Sequence, residues 1–165
     1  MKPFIELALL GALLGCSGIA HAALSCSVAG VSLNFGIYDD SSPSSHDVST
    51  TFSVNCCRNP PGSNATLTVA MGTSANSGAI NTRQMKNSAN SDLMSYQLYF
   101  TSFGGTVWGD GVIGGSTWTE AISTNLKCPG TVAFTVGSAI FGRIFAQQAV
   151  SAGSYADTLT ITITP

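Results

Sequence analysis

From residue 155 to 165 the chain reads Tyr-Ala-Asp-Thr-Leu-Thr-Ile-Thr-Ile-Thr-Pro. Leu159, Ile161 and Ile163 fall on one face of a strand and Thr158, Thr160, Thr162 and Thr164 on the other, because strand side chains alternate with a period of two. The pattern predicts a strand with one buried face, introduced by Gly153 and Ser154. After Ile163 only Thr164 and Pro165 follow, so no later hairpin partner is expected. Its outer edge should then offer unpaired N–H and C=O groups to another chain, unless an earlier segment covers it.

Similar alternation predicts strands over 28–35, 51–56, 65–71, 93–100, 130–136 and 139–145, with Leu67, Val69 and Met71 turned inward in the third. Between them lie a Ser-rich loop at 40–47, a Pro60-Pro61-Gly62 turn, a polar run at 72–92 carrying Arg83 and Met85, and a mixture of glycines and aromatics at 103–118. Nowhere does a helical period persist for about ten residues. Short strands joined by Gly-rich turns argue for an all-β sandwich.

The first 22 residues read differently. Lys2 is followed by an apolar run from Phe4 to Leu14, broken by Glu6, and then by Ala20-His21-Ala22. This is the layout of a secretory signal peptide cleaved near Ala22, and the run is too short to span a bilayer. Leu13-Leu14-Gly15-Cys16 also resembles a lipoprotein cleavage box, with Cys16 as the acylated residue. Removing 22 of 165 residues leaves 143, the size of one domain, over 23–165.

Charged residues make up only 8% of the chain and the net charge is −2, which excludes a polybasic nucleic-acid binder. Low charge with many β-branched residues points instead towards assembly. Four cysteines remain after cleavage: Cys26, Cys56, Cys57 and Cys128. In an exported chain these suggest two disulfides, for which three pairings exist. Cys56 is in phase with Phe52 and Val54 and should face inward while Cys57 faces out. The expected pairs are Cys26 with Cys56 and Cys57 with Cys128.

Catalytic, cofactor and metal chemistry find little support. Gly109-Asp110-Gly111-Val112-Ile113-Gly114 satisfies GxGxxG, but Gly115-Ser116-Thr117-Trp118 gives no helix start for a dinucleotide. A turn is expected there, with Trp108 packed and Asp110 accepting backbone N–H bonds. Ser45-His46-Asp47 is contiguous and cannot form a triad, so His46 reads as a solvated loop residue. No CxxC spacing occurs, and the carboxylates are few and unpaired. Arg143 and Asp157 read as structural groups. Two readings stand for the apolar residues of the 103–118 region: they fold onto the core, or Val107, Trp108, Val112 and Ile113 form an exposed adhesive loop.

The ordered set of motifs resembles the spore coat protein U domain family, the subunit type of archaic chaperone-usher pili. It runs from Cys26 and Phe35-Gly36-Ile37-Tyr38-Asp39 through Val54-Asn55-Cys56, Arg83-Gln84-Met85, and Leu93 with Tyr96-Gln97-Leu98-Tyr99. It continues with Trp108-Gly109-Asp110-Gly111, Phe141-Gly142-Arg143-Ile144 and Ala152-Gly153-Ser154-Tyr155-Ala156-Asp157-Thr158. The resemblance implies an incomplete immunoglobulin-like β-sandwich lacking its final strand, disulfide-bonded, with Leu159, Ile161 and Ile163 walling a donor-strand groove. It implies a structural subunit rather than an enzyme. The expected partners are a periplasmic pilus chaperone, an outer-membrane usher and a neighbouring pilin, with no nucleic acid, small-molecule substrate or cofactor. The destination is the cell surface, where a pilus serves attachment and biofilm formation. Residues 23–25 are too few for a donor strand ahead of Cys26, which points to a minor or tip-proximal subunit. The alternative is a stand-alone, spore-coat-like or surface-binding domain.

Overall fold

The computed structural model describes residues 24–58, 65–122, 132–135 and 140–164. The predicted signal peptide and Cys128 lie outside them. Among the described residues every regular element is a strand, and none is a helix long and apolar enough to cross a membrane.

The strands are β1 (Leu24–Val28), β2 (His46–Thr50), β3 (Ser53–Arg58), β4 (Ala65–Met71), β5 (Arg83–Asn87) and β6 (Leu93–Tyr99). They continue with β7 (Trp118–Ile122), β8 (Val132–Thr135), β9 (Ile140–Ile144), β10 (Tyr155–Ala156) and β11 (Ile161–Thr164). All pair antiparallel, in three sheets ordered β1-β3-β8, β10-β5-β6-β9-β2 and β11-β4-β7. One apolar core joins them, drawing Val54 and Cys56 from β3, Leu67, Val69 and Met71 from β4, Met94, Tyr96 and Leu98 from β6, and Ile140 and Ile144 from β9. Burying these alternate side chains is what holds the sheets face to face. The β1–β3 register sets Cys26 opposite Cys56, and the two are joined by a disulfide. Cys57 is disulfide-bonded as well.

Four expectations need correction. The strand expected over 28–35 is displaced: β1 ends at Val28, and 29–39 runs on without a ladder partner. The Ser-rich loop at 40–47 gives way to β2, which places His46 half-buried on a strand rather than in solvent. The polar run at 72–92 contains β5, whose inward residues are Arg83, Met85 and Asn87. Two of those three are polar, so the buried face carried no apolar signature. The 155–165 strand is real at both ends but broken between them, because β10 pairs with β5 and β11 with β4, in different sheets.

Candidate functional site: an open groove beside β11

β11 lies at the edge of its sheet, and among the described residues only β4 pairs with it. The register is Ile161 opposite Met71 and Ile163 opposite Val69. Just before the strand, Gly72 N donates to Thr160 O at 2.8 Å. Backbone groups along a strand point alternately to its two sides. Thr160, Thr162 and Thr164 therefore face β4, and the N–H and C=O groups of Leu159, Ile161 and Ile163 face away from it. Their side chains turn to the core and are half-buried, whereas the threonines are exposed. The residues expected to wall a groove thus combine an inward apolar side chain with an outward, unladdered backbone.

Opposite them stands a second wall, 31–38, which the alternation made visible as an extended run but which pairs in no sheet among the described residues. Val31, Leu33 and Phe35 are half-buried and alternate with exposed Ser32, Asn34 and Gly36. This wall rests on β9, where Gly142 leaves room for it. A Cβ at that position would come within 2.3 Å of Leu33 Cδ2 and 2.7 Å of the Phe35 ring. Phe35 also meets Tyr96 edge-on, with ring centroids 6.0 Å apart. His46 Nε2 hydrogen-bonds the Phe35 carbonyl and so fastens the wall to β2.

Between the walls is a groove of about 910 Å³. Met71, Met85, Met94, Leu98, Ile140 and Ile144 line it, all of them nearly or fully buried. Methionine is flexible and polarisable, so such a lining adapts to occupants of differing shape. Sequence reading named one wall through Leu159, Ile161 and Ile163. It missed the other wall and the methionines, which converge only when β4, β5 and β6 are brought together.

Polar groups beside the groove tie its surrounding strands together. Arg83 is fully buried with no carboxylate on it. Its guanidinium donates to Gln97 Oε1 at 2.7 Å, Trp108 O at 2.8 Å, Gly72 O at 2.9 Å and Met71 O at 3.3 Å. Burial pulls its pKa below the ordinary value. Tyr96 donates to Asp157 Oδ2 at 2.7 Å. Burial first, and then the adjoining carboxylate, push this phenol far above its ordinary range. Asp157 also accepts from Ala75 N and Asn76 Nδ2, which fixes the chain where it passes from β10 towards β11. Arg143 pairs not with Asp157 but with Asp47, in a bidentate contact at 2.7 Å across β2 and β9. Ser45, His46 and Asp47 assemble no triad. Among the described residues no cluster of His, Cys, Asp or Glu is placed to hold a metal.

The 103–118 region divides. Trp108 is fully buried, its indole N–H donating to Val69 O at 3.0 Å and its ring packed against Phe52 and Phe100. It therefore does not stand on an exposed loop, and Val107 is half-buried. Val112 and Ile113 do stand out, 90% and 66% exposed. They sit on a turn whose N–H groups converge on Asp110 Oδ1, from Val112 at 2.9 Å, Ile113 at 2.8 Å and Gly114 at 3.3 Å. These bonds hold the Asp110 carboxyl below its usual pKa. Gly109 is required in this turn, since a Cβ there would lie 1.9 Å from Gly114 O.

No curated protein matches the chain. Solved structures that match it include the following two. One is the CsuC-CsuE chaperone–tip adhesion subunit pre-assembly complex from the archaic chaperone-usher Csu pili of Acinetobacter baumannii, at 16% identity and a TM-score of 0.51, covering 86% of this chain and 39% of the other. The second is a chaperone–tip adhesin complex of CFA/I fimbriae biogenesis, at 14% identity and a TM-score of 0.49, covering 86% of this chain and 42% of the other. The present chain thus spans about two fifths of the length of the solved chains it resembles. The fold is an immunoglobulin-like β-sandwich with an uncovered β11 edge among the described residues. The Spore Coat Protein U domain matches residues 12–162, nearly the whole sequence, and the chain belongs to that family.

Proposed function

We propose that the groove receives a β-strand from another polypeptide, and that the chain is a structural subunit, minor or tip-proximal, of an archaic chaperone-usher pilus. The observation that carries this reading is the pairing of a groove floored by apolar side chains with the backbone edge of Leu159, Ile161 and Ile163, which no strand among the described residues covers. An incoming strand would ladder onto that edge and drop alternate side chains onto the floor, which is β-strand addition. Similarity to a subunit held in a chaperone complex supports it.

In this reading residues 1–22 form a leader cleaved near Ala22, and 23–165 form the domain carried through the periplasm to the cell surface. A periplasmic chaperone fills the groove first, an outer-membrane usher receives the complex, and a neighbouring pilin then supplies the lasting strand. The second disulfide joins Cys57 to Cys128. Val112 and Ile113 present an apolar contact for attachment and biofilm formation. The role is structural rather than enzymatic.

The test is expression of the processed chain in the periplasm with and without its cognate chaperone. Chaperone-dependent accumulation is expected. A protease-resistant monomer produced alone would instead establish a self-sufficient surface-binding or coat domain.

A further inference from the structure

The groove is shut at one end, and we infer that this closed end sets the register of the strand it receives; the inference rests on the reading of the groove given above. The closure is the segment 145–154, which leaves β9 and crosses the end of the five-stranded sheet to reach β10. It is pinned along its course. The Gln148 side chain imitates a strand residue against β6, accepting from Ser95 N at 2.6 Å and donating to Ser95 O at 2.8 Å. Farther on, Ser151 N donates to Asp92 Oδ2 at 2.9 Å, and Ser88 N donates to Ser154 O at 2.9 Å. Gln147, just before the imitating residue, has φ 55°, a left-handed conformation that a non-glycine residue adopts only where its surroundings enforce it.

The 31–38 wall ends on this same segment. The Tyr38 hydroxyl donates to Phe145 O at 2.9 Å and accepts from Gln148 N at 2.8 Å. Tyr38 therefore bridges the 31–38 wall to this segment across the slot. At the opposite end, among the described residues, no hydrogen bond joins 28–33 to 159–164.

An occupant that advances to Tyr38 cannot continue in line. It is thus an extended segment of another chain that ends or turns away there, with its apolar residues at alternate positions counted from that stop. The count matters because a slip of one residue would turn the polar face of the strand onto the methionine floor. Apolar side chains alone favour the correct parity but leave two-residue slips open. The closed end removes those.

The experiment uses a synthetic peptide of about ten residues, alternating Ile and Thr, long enough to form one strand. It is made unmodified, with a bulky dye at its N-terminus, and with the same dye at its C-terminus. Each competes for the processed full chain purified with its chaperone, and displacement is read by native mass spectrometry. The unmodified peptide and one dye-bearing form are expected to displace the chaperone equally, and the other to do so about tenfold more weakly or worse, a difference of at least about 1.4 kcal/mol. The double substitution Tyr38→Ala, Gln148→Ala is expected to restore the weak form. Equal displacement by both dye-bearing forms overturns the stop while leaving the groove intact. Failure of all three peptides overturns the groove reading, and the stop with it.

Discussion

Arg83 shows how a single residue can fix several elements at once. Its four acceptors come from β4 and the residue after it, from β6, and from the carbonyl of Trp108. Replacing it with Met would leave the Met71, Gly72 and Trp108 carbonyls without this donor, and a buried group left unsatisfied costs about 1–3 kcal/mol. Arg83→Met should therefore lower stability by roughly 3 kcal/mol or more, seen as a fall in the urea midpoint of the complemented protein. Lysine should not rescue it, because only the guanidinium fork reaches all these oxygens. Asp110 works more locally. Because its folded pKa lies below the ordinary carboxylate value of 3.8, its contribution is present above that value and is lost as pH falls through the lowered one. The amide resonances of Val112, Ile113 and Gly114 should shift together in that acid range, and Asp110→Ala should abolish the shared titration. Tyr96 acts at the alkaline end. Its folded pKa is raised, so its contribution is intact below the ordinary 10.0 and is lost as pH climbs past it, where the unfolded chain ionises and the folded one does not. Tyr96→Phe should remove that part of the alkaline loss of thermal stability. The packed Trp108 and the N–H-accepting Asp110 were legible from the sequence, since a glycine-rich turn asks for both. Arg83 was not, because an arginine in a polar run ordinarily lies in solvent.

Among the elements, legibility followed the chemistry of the buried face. β4 and β11 announce themselves because Leu, Val, Met and Ile alternate with Thr and Ala. β2 turns half-buried His46, Val48 and Thr50 inward, and β5 buries Arg83, Met85 and Asn87, so neither shows an apolar period. The break between β10 and β11 was hidden for another reason: the period of two continues through it, while Asp157 anchors the chain to Tyr96, Ala75 and Asn76. The 31–38 wall of the groove depends on an absence of bulk in β9. Gly142→Ala would press on Leu33 and Phe35 and move that wall, since a new Cβ lies well inside contact distance of both. In the assembly proposed above, the variant should fold but bind the chaperone several-fold less tightly in a pull-down titrated with competitor peptide, whereas Thr162→Ser on the exposed face should change nothing.

At the scale of the molecule, a core that is closed on most sides is open on one. Leu159, Ile161 and Ile163 are each half-covered, so full covering would add on the order of 1 kcal/mol per side chain. That is a sizeable part of the roughly 5–15 kcal/mol that holds a domain together. The disulfide between Cys26 and Cys56 offsets some of the deficit by closing a span of 30 residues. Converting both cysteines to Ala should cost about 2–4 kcal/mol, measured as a loss of thermal stability in the complemented state and as lower yield even with chaperone. The sandwich and the alternating wall at 159–163 could be read from the sequence because they follow from local period. The groove as a whole could not, since its floor gathers methionines from β4, β5 and β6 and its closed end joins Tyr38 to Gln148 across 110 positions.

The placement of Leu159, Ile161 and Ile163 has a mechanical corollary. A strand laddered along that edge and tugged lengthwise is sheared, so its backbone bonds must fail together rather than peel one by one. Joints of this kind between successive subunits would give a filament high tensile strength without a single covalent link between its members.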